Sequence, residues 1–349
     1  IAVVALASPV VLLALALPAL AQERYDYRAD PKTPLLHQKL VAEYAFTPKD
    51  LAWVDAALAQ AERQPQLVQA ERQNKEATTP LWDSYRAIHV FPKQIDNGLR
   101  VLADYRPYFE KAEAEYGVPS VVIAAILGVE TKYGSYTGKN RVLDALVTQG
   151  YEHPRRSAFF FSELAAYFAY CRDFGREPTE IKGSYAGAVG FAQFMPSNYL
   201  RLAVDYDGDG QVNLWSMPDA IGSIAHYFTR YQPPDRPAVH WRRGEPLLVP
   251  VNSARLAADA PPRNTKAANG TLGSWTKAGI ELGVAMPLDT PAGLLELRRP
   301  DGIEYWLALP NFYAVMTYNP RVFYAMAVTQ LAAELQSAQA TQAAQVSSR

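Results

Sequence analysis

The sequence contains a single cysteine, Cys171, among its 349 residues. A disulfide within the chain is therefore excluded. Cys171 follows Phe160, Leu164, Tyr167 and Phe168 at helical spacing. This pattern predicts that Cys171 is a small, buried core residue rather than a nucleophile.

The sequence also lacks an excess of charge of either sign. Lysine and arginine together number 34, against 35 aspartate and glutamate residues, and the formal net charge is −1. This balance argues against nucleic acid or an anionic membrane surface as a partner. The hydrophobic fraction of 49% and the charged fraction of 20% are typical of a globular protein. The length allows one large unit or two to three small ones.

Residues 1–20 carry no charge and are rich in Ala, Leu and Val. Ala19-Leu20-Ala21 matches the small-x-small pattern of a cleavage site, and a polar stretch follows from Gln22. We therefore predict a cleaved secretory signal peptide over residues 1–21, the alternative being an uncleaved membrane anchor. No cysteine lies near the cleavage point, which excludes a lipid anchor on cysteine.

Hydrophobic periodicity predicts a mainly helical chain. Thr47, Pro48 and Asp50 are typical of an N-cap, an N1 proline and an acidic N3 residue, and the apolar stripe that follows stops before Pro65. Further helices are predicted between Pro119 and Gly134 and over Gln94–Tyr116, Phe159–Phe174, Asn198–Val204, Asp219–Tyr231 and Arg321–Leu335.

The character of the sequence changes after Tyr231. Gln232–Pro237 is a proline-rich linker, and Glu245–Val251 is predicted to be a strand. Pro300-Asp301-Gly302 separates two further predicted strands, Leu294–Arg299 and Ile303–Leu309, as in a β-hairpin. We therefore predict a small β-rich insert. At the other end, Ser337–Arg349 is rich in Ala, Gln and Ser, which predicts a disordered tail.

Glu130 lies at the end of an apolar run and is the strongest candidate for chemistry. Pro119 suits the first helical turn, and Gly134 suits the left-handed position just past the helix end. Burial and the negative end of the helix dipole both raise the pKa of a carboxyl there. Such a group can act as a general acid in glycoside cleavage. The alternative is a structural glutamate that caps the helix or pairs with a cation.

Lys182–Ser197 combines closely spaced small residues with one amide, Gln193. Small residues let the backbone approach a ligand, and an amide offers both a donor and an acceptor. No strand is predicted before this segment and no Gly-Lys-Ser/Thr is present, so a phosphate-binding loop is excluded. The alternative is close helix packing through the glycines.

Asp205-Tyr206-Asp207-Gly208-Asp209-Gly210-Gln211 matches the start of an EF-hand loop. Carboxylates fall at positions 1, 3 and 5, glycine at 6 and a carbonyl donor at 7, while Ser216 occupies the position of the usual glutamate. Asp219 could close the site from the next helix. Three carboxylates on alternate residues repel one another, so we predict a bound cation rather than a solvated turn.

Together these motifs resemble the membrane-bound lytic transglycosylase B family of periplasmic peptidoglycan-cleaving enzymes. The resemblance covers roughly Tyr85 to Leu331. The matching stretches are Tyr85-Arg86, Ile126–Thr131, Tyr136–Lys139, Val142–Leu146, His153–Arg156, Lys182–Pro196, Asp205–Phe228, Asn311–Tyr313, Tyr318-Asn319 and Tyr324–Val328.

The resemblance implies a mainly α, lysozyme-like fold with a helical domain built from both chain ends and a small β-rich domain. The expected division is as follows: a signal peptide at 1–21, the first part of the helical domain at 22–80, a catalytic core with the EF-hand-like loop at 81–231, the β-rich domain at 232–310, a helical segment completing the groove and the helical domain at 311–336, and the tail at 337–349.

The resemblance also implies roles for individual residues. Glu130 is the expected catalytic acid and base. The expected substrate-binding residues are Tyr85, Arg155, Arg156, Ser184, Gln193, Tyr227, Tyr318, Asn319 and Tyr324, the two arginines facing the peptide stem or its carboxylates. The expected ligands of a structural Ca²⁺ are Asp205, Asp207, Asp209, the Gln211 carbonyl and Asp219. No organic cofactor is expected.

The function implied is that of a periplasmic lytic transglycosylase. It would cleave the β-1,4 bond between N-acetylmuramic acid and N-acetylglucosamine in peptidoglycan glycan strands and leave 1,6-anhydro-muramic acid ends. Other cell-wall enzymes are further expected partners, whereas nucleic acid and stable membrane insertion after signal cleavage are not expected. Two alternatives stay open: a hydrolytic muramidase and a catalytically silent peptidoglycan-binding protein.

Overall fold

The computed structural model describes residues 25–68, 81–234, 237–256 and 259–347. The predicted signal peptide at 1–21 lies outside the described residues, as does part of the range 22–80. Within the described ranges the chain is mainly helical with two small sheets, one of two strands and one of five, which confirms the predicted fold class.

In the part of the chain that the structure describes, thirteen helices with defined bounds follow a short 3₁₀ turn at Tyr27–Ala29. They are α1 (Thr33–Tyr44), α2 (Pro48–Leu58), α3 (Trp82–His89), α4 (Pro92–Asp104), α5 (Arg106–Tyr116), α6 (Ser120–Thr131), α7 (Val142–Glu152), α8 (Ser157–Asp173), α9 (Pro196–Leu202), α10 (Met217–Arg230), α11 (Leu272–Lys277), α12 (Pro310–Tyr318) and α13 (Val322–Ser347).

The strands form two antiparallel sheets. They are β1 (Asn140–Arg141), β2 (Lys182–Gly183), β3 (Leu248–Ala254), β4 (Gly270–Thr271), β5 (Ile280–Leu282), β6 (Pro291–Arg299) and β7 (Gly302–Ala308). β1 pairs with β2, and the other five strands form one sheet in the order β4-β6-β7-β3-β5. The predicted hairpin is confirmed as β6–β7, and the predicted strand before it lies three residues later than expected, at Leu248–Ala254.

Helix α6 is the centre of the helical core. Its residues from Val122 to Gly128 are buried, and α4, α5, α10 and α13 pack around it. The helix ends earlier than the sequence predicts, because Lys132 already takes the left-handed conformation at φ 50° and the Tyr133 N–H donates to the Leu127 carbonyl at 3.0 Å. Gly134 is therefore not the first left-handed residue after the helix but the third, at φ 83°.

Two helix predictions need correction. The single helix predicted over Gln94–Tyr116 is broken at Tyr105 into α4 and α5. Pro107 explains the break, because proline has no N–H and its ring clashes with the carbonyl four residues earlier. The tail predicted to be disordered from Ser337 is helical to Ser347. Alanine and glutamine favour the helix, and no Pro or Gly interrupts this stretch.

The sheet packs on the helical core with one face and carries a second core on the other. Leu295 and Leu297 of β6 join the helical core. Leu294 points to the opposite side, because neighbouring residues of a strand alternate, and joins Leu307 and Trp275 in a separate apolar cluster. β6 also packs against α3, the helix that carries Tyr85.

Within the described ranges, no single helix is both long and apolar enough to cross a membrane. The pair α5 and α6 reaches the required length and apolarity only when the two helices are taken together, and they meet at an angle of 115°.

Candidate active site

Glu130 lies in the last turn of α6 and is half-buried. Tyr324, which α13 brings next to this turn, donates its hydroxyl to Glu130 Oε1 at 2.5 Å. Burial raises the pKa of Glu130 to about 7, and the Tyr324 hydrogen bond opposes that rise because it stabilises the charged form. The carboxyl is therefore poised to give and to accept a proton near neutral pH.

Tyrosines form one side of the site. Tyr318 donates to the Ala192 carbonyl at 2.6 Å, and Tyr227 donates to the Thr317 carbonyl at 2.8 Å. The rings of Tyr227 and Tyr318 are 4.7 Å apart between centroids. Burial raises the pKa values of Tyr318 and Tyr324, and the nearby Glu130 carboxylate raises them further. Both phenols therefore stay neutral donors throughout the pH range in which Glu130 titrates.

Tyr85 approaches Glu130 from α3. Burial raises its pKa and the Glu130 carboxylate adds to this, whereas Arg321 lowers it. The Tyr85 ring lies 5.0 Å from His89 and 5.6 Å from Phe323 between centroids. The structure thus brings four predicted residues, Tyr85, Tyr227, Tyr318 and Tyr324, to the surroundings of Glu130, and Asn319 follows at the end of α12.

Gln193 and Ser184 lie on the segment that packs against the loop after Glu130. Gln193 has a left-handed backbone at φ 50°, and its Nε2 donates to the carbonyls of Thr137 at 3.1 Å and Gly190 at 2.9 Å. Ser184 Oγ accepts the N–H groups of Ala186 and Ala188. The bond from Gln193 Nε2 to Thr137 therefore joins this segment to the loop after Glu130.

Arg155 and Arg156 occupy the turn between α7 and α8. Both are exposed, and both donate their backbone N–H to His153 Nδ1, at 3.2 and 2.9 Å. The Arg156 guanidinium lies over the Phe159 ring at 4.6 Å. The Arg156 side chain therefore packs on the first turn of α8.

Two other buried acids have structural partners. Asp144 accepts hydrogen bonds from the Glu62 N–H at 2.8 Å and from the Arg141 guanidinium. Glu163 accepts the N–H and the hydroxyl of Ser197, at 2.9 and 2.7 Å. Asp144 thus ties the segment after α2 to α7, and Glu163 ties the start of α9 to α8.

The acidic loop brings three of its predicted ligands together. One carboxylate oxygen from each of Asp205, Asp207 and Asp209 lies within 4.8 Å of the others. Asp219 has a different place, since it is buried and its two oxygens accept the Tyr206 and Asn213 N–H groups, each at 2.7 Å. Gln211 donates its N–H to Asp209 at 2.7 Å. Within the described ranges, three carboxylates thus converge, and Asp219 orients the loop through two of its backbone N–H groups.

Asn311 is a structural residue to which the sequence analysis gave no role. It is fully buried at the start of α12, and its Oδ1 accepts the Arg242 N–H at 2.8 Å while its Nδ2 donates to the carbonyls of Arg242 and Glu245. In the sequence, the one indication of this role is that Asn311 is a single amide within an apolar stretch. Asn311 ties the linker before the sheet to the helix that carries Tyr318.

Replacing Tyr324 by Phe should change the pH dependence of the reaction. In wild type the Tyr324 hydroxyl stabilises the charged form of Glu130. Without this hydroxyl, the pKa of Glu130 should rise further above its value of about 7. A hydrogen bond to a charged group contributes about 1.5–3 kcal/mol, so we expect the alkaline limb of kcat/KM to move up by about one pH unit or more. Tyr318→Phe is the control, because that hydroxyl binds the Ala192 carbonyl. If the alkaline limb of kcat/KM lay at the same pH in wild type and in Tyr324→Phe, the prediction would be contradicted.

Comparison with known proteins gives consistent matches over most of the chain. Residues 38–333 match the family described as "Transglycosylase SLT domain". The chain is 35% identical over 315 residues to membrane-bound lytic murein transglycosylase B of Escherichia coli, covering 88% of this chain and 83% of that protein. Two solved structures are also similar. The E. coli lytic transglycosylase SLT35 in complex with calcium has a TM-score of 0.77, 34% identity and coverage of 91% and 96%. SltB3 of Pseudomonas aeruginosa in complex with NAG-anhNAM-pentapeptide has a TM-score of 0.69, 30% identity and coverage of 87% and 78%.

Proposed function

The chain belongs to the transglycosylase SLT domain family, and on that basis we propose that Glu130 carries out the reaction of a lytic transglycosylase. The reaction cleaves the β-1,4 bond between N-acetylmuramic acid and N-acetylglucosamine in peptidoglycan and leaves a 1,6-anhydro-muramic acid end. The observation that carries the assignment to Glu130 is its half-buried carboxyl, with a pKa of about 7 and the Tyr324 hydroxyl on one oxygen.

In the first step Glu130 acts as the acid. It donates its proton to the glycosidic oxygen, the bond from that oxygen to the anomeric carbon breaks, and the N-acetylglucosamine side leaves as an alcohol. Burial keeps a useful fraction of Glu130 protonated near neutral pH. The Tyr324 hydroxyl stabilises the carboxylate that remains, so the same hydrogen bond supports the product of this step.

In the second step Glu130 acts as the base. It removes the proton from the muramic acid 6-hydroxyl, whose oxygen bonds to the anomeric carbon and closes the anhydro ring. Glu130 thereby regains the proton that it gave up in the first step, and no water is consumed. An internal hydroxyl has a large effective-concentration advantage over water.

The surroundings of Glu130 favour this course over hydrolysis. Ordinary glycosidases need a second carboxyl group about 5–10 Å from the first. In the part of the chain that the structure describes, the buried acids Asp144, Glu163 and Asp219 accept hydrogen bonds from other elements. Burial is the cause of the raised pKa of Glu130, and the hydrogen bond from Tyr324 opposes it.

The remaining predicted groove residues are proposed to bind the saccharide. Tyr85, Tyr227 and Tyr318 offer aromatic faces next to Glu130, and such faces suit the apolar sides of sugar rings. Gln193 Oε1 is placed to accept a hydrogen bond, because its amide nitrogen is already engaged. Ser184, which follows β2, and Asn319, which follows α12, are proposed to contact sugar hydroxyl or amide groups. The arginine pair Arg155 and Arg156 is proposed to meet the peptide stem, because both side chains are exposed cations.

We further propose that the acidic loop binds Ca²⁺ in a structural role. The donors are all oxygens, which suits a hard cation, and three carboxylates within 4.8 Å repel one another without one. Asp205, Asp207 and Asp209 would hold the ion, while Gln211 and Asp219 stay predicted ligands. The structure of SLT35 in complex with calcium supports the identity of the ion.

We propose a periplasmic location for the mature chain. The expected signal peptide at 1–21 supports it, as does the similarity to a lytic murein transglycosylase of E. coli, a bacterium. The substrate would then be the glycan strands of the cell wall, and other cell-wall enzymes stay predicted partners.

Mass spectrometry of the products tests the proposed reaction. Muropeptides released from purified sacculi should carry anhydro-muramic acid ends, lighter by one water than hydrolysis products, and should resist reduction by borohydride. SltB3 in complex with NAG-anhNAM-pentapeptide shows that a similar protein holds such a product. Reducible ends on most products would identify a muramidase, and an absence of released products would identify a binding protein.

A further inference from the structure

Helix α3 carries Tyr85 but is too short to be stable alone. It has eight residues, from Trp82 to His89, and isolated helices of that length are marginal in water. Contacts with other elements must therefore set its position. Trp82 provides one of them: it is buried, and its ring lies 5.4 Å from Phe323 of α13 between centroids.

Two arginines hold the polar side of α3. Arg86 reaches α13, where its Nε donates to Gln330 Oε1 at 2.5 Å and its Nη2 donates to Glu334 Oε1 at 3.1 Å. Arg299 reaches α3 from the end of β6, and its Nη2 lies 3.2 Å from Asp83 Oδ1. One contact thus joins α3 to the helix that carries Tyr324, and the other joins it to the sheet.

Arg299 is oriented by the sheet rather than by α3. Its Nη1 donates to Glu304 Oε2 on β7 at 3.0 Å. The other oxygen of Glu304 accepts the Trp306 Nε1–H at 2.6 Å, which fixes the carboxylate in turn. The neighbouring Arg298 is held much less firmly. Its side chain is 72% exposed, and its Nε lies 3.9 Å from Glu296 Oε1.

We propose that Arg299 is a positioning residue for the groove. Through Asp83 it holds α3 against the sheet, and α3 in turn holds Tyr85 beside Glu130. The small sheet thereby acts on substrate binding through a helix, without contributing the reacting groups. This inference rests on the proposed function, because Tyr85 matters here only as a wall of the saccharide groove.

The test compares Arg299→Gln with Arg298→Gln, two neutralised arginines at adjacent positions. Exposed ion pairs contribute little to global stability, so both variants should melt close to wild type. With soluble glycan strands as substrate, we expect Arg299→Gln to raise KM about three- to fivefold with kcat nearly unchanged. Arg298→Gln should match wild type. Amide hydrogen exchange in α3 should be faster in Arg299→Gln alone.

A double-mutant cycle identifies the contact responsible. If Arg299 acts through Asp83, the KM of Asp83→Asn/Arg299→Gln should be close to that of either single variant. Equal KM values for Arg299→Gln and Arg298→Gln, or fully additive effects in the cycle, would overturn the proposal. Should wild type release no anhydro-ended product, the proposed function fails, and the same comparison is made with the Kd of uncleaved glycan strands in place of KM.

Discussion

Glu130→Gln is expected to lose nearly all glycan-cleaving activity. The amide keeps the shape of the carboxyl but has no proton to transfer, and general acid–base catalysis contributes about 10²–10⁴-fold. Here one group serves both the protonation of the leaving oxygen and the activation of the 6-hydroxyl, so the loss should reach the upper end of that range or exceed it. The measurement is the release of muropeptides from sacculi by equal amounts of the two proteins.

The stability of the same variant provides the control for folding. In wild type the pKa of Glu130 is about 7 in the folded chain, against a usual value of 4.5. Between those two pH values Glu130 is deprotonated in the unfolded chain but still protonated in the folded chain. The folded state therefore loses stability as pH rises from about 4.5 to about 7. The free energy of unfolding that is lost over this pH range is about 3 kcal/mol.

Glutamine does not titrate, so Glu130→Gln should not show this loss. Its melting temperature should equal that of wild type near pH 4.5 and exceed it above pH 7. A variant that is inactive and also less stable at pH 7 would mean that Glu130 has a structural rather than a chemical role. Substantial activity in a well-folded variant would move the chemistry to another residue.

The sequence predicted those parts of the fold that depend on local signals. The capping box at Thr47 and Asp50 forms as expected, with the Asp50 side chain accepting the Thr47 N–H at 2.8 Å. The turn at Pro300–Gly302 joins β6 to β7. The apolar run before Glu130 forms the buried helix α6. In each case the residues that decide the structure are neighbours in the chain.

The errors arose where one local signal outweighed another. Pro107 was present in the predicted helix over Gln94–Tyr116, but the apolar periodicity across it suggested continuity. The Ala, Gln and Ser composition of the tail predicts disorder, although Ala and Gln have a high helix propensity. Gly134 is predicted to be the left-handed residue just past α6 because glycine is the usual residue there, whereas Lys132 and Tyr133 adopt that conformation first.

The site itself could not be predicted from local patterns. Glu130 and Tyr324 are 194 residues apart in the chain, and only packing of α13 on α6 brings them together. The apolar run around Glu130 predicts a raised pKa, but the family resemblance implies only a substrate-binding role for Tyr324, and its hydrogen bond to Glu130 is seen only in the structure. The contact of Arg299 with Asp83 has no sequence signature at all, since both belong to ordinary charged stretches. Such pairs depend on tertiary structure alone.

Calcium should stabilise the folded chain against heat. A ligand that binds only the folded state adds about 2.7 kcal/mol at a hundredfold excess over Kd. For a domain of this size that corresponds to a rise in melting temperature of about 4 °C relative to chelator. The acidic loop is where we expect binding, because Asp205, Asp207 and Asp209 converge there and Asp219 fixes the loop through the Tyr206 and Asn213 N–H groups.

Asp209→Ala should abolish the response to calcium while leaving the chelator-treated protein folded, since Asp209 is exposed and its bond to the Gln211 N–H is local. Asp104→Ala is the matched control: it removes one exposed carboxylate at the end of α4 and should keep the full response. Catalysis should depend on the ion only through folding, because the hydroxyl that binds Glu130 belongs to Tyr324 of α13 and not to this loop. Identical melting curves of wild type in calcium and in chelator would disprove the metal assignment. If both variants lost the calcium-induced rise in melting temperature equally, calcium would act through general charge screening rather than through the loop.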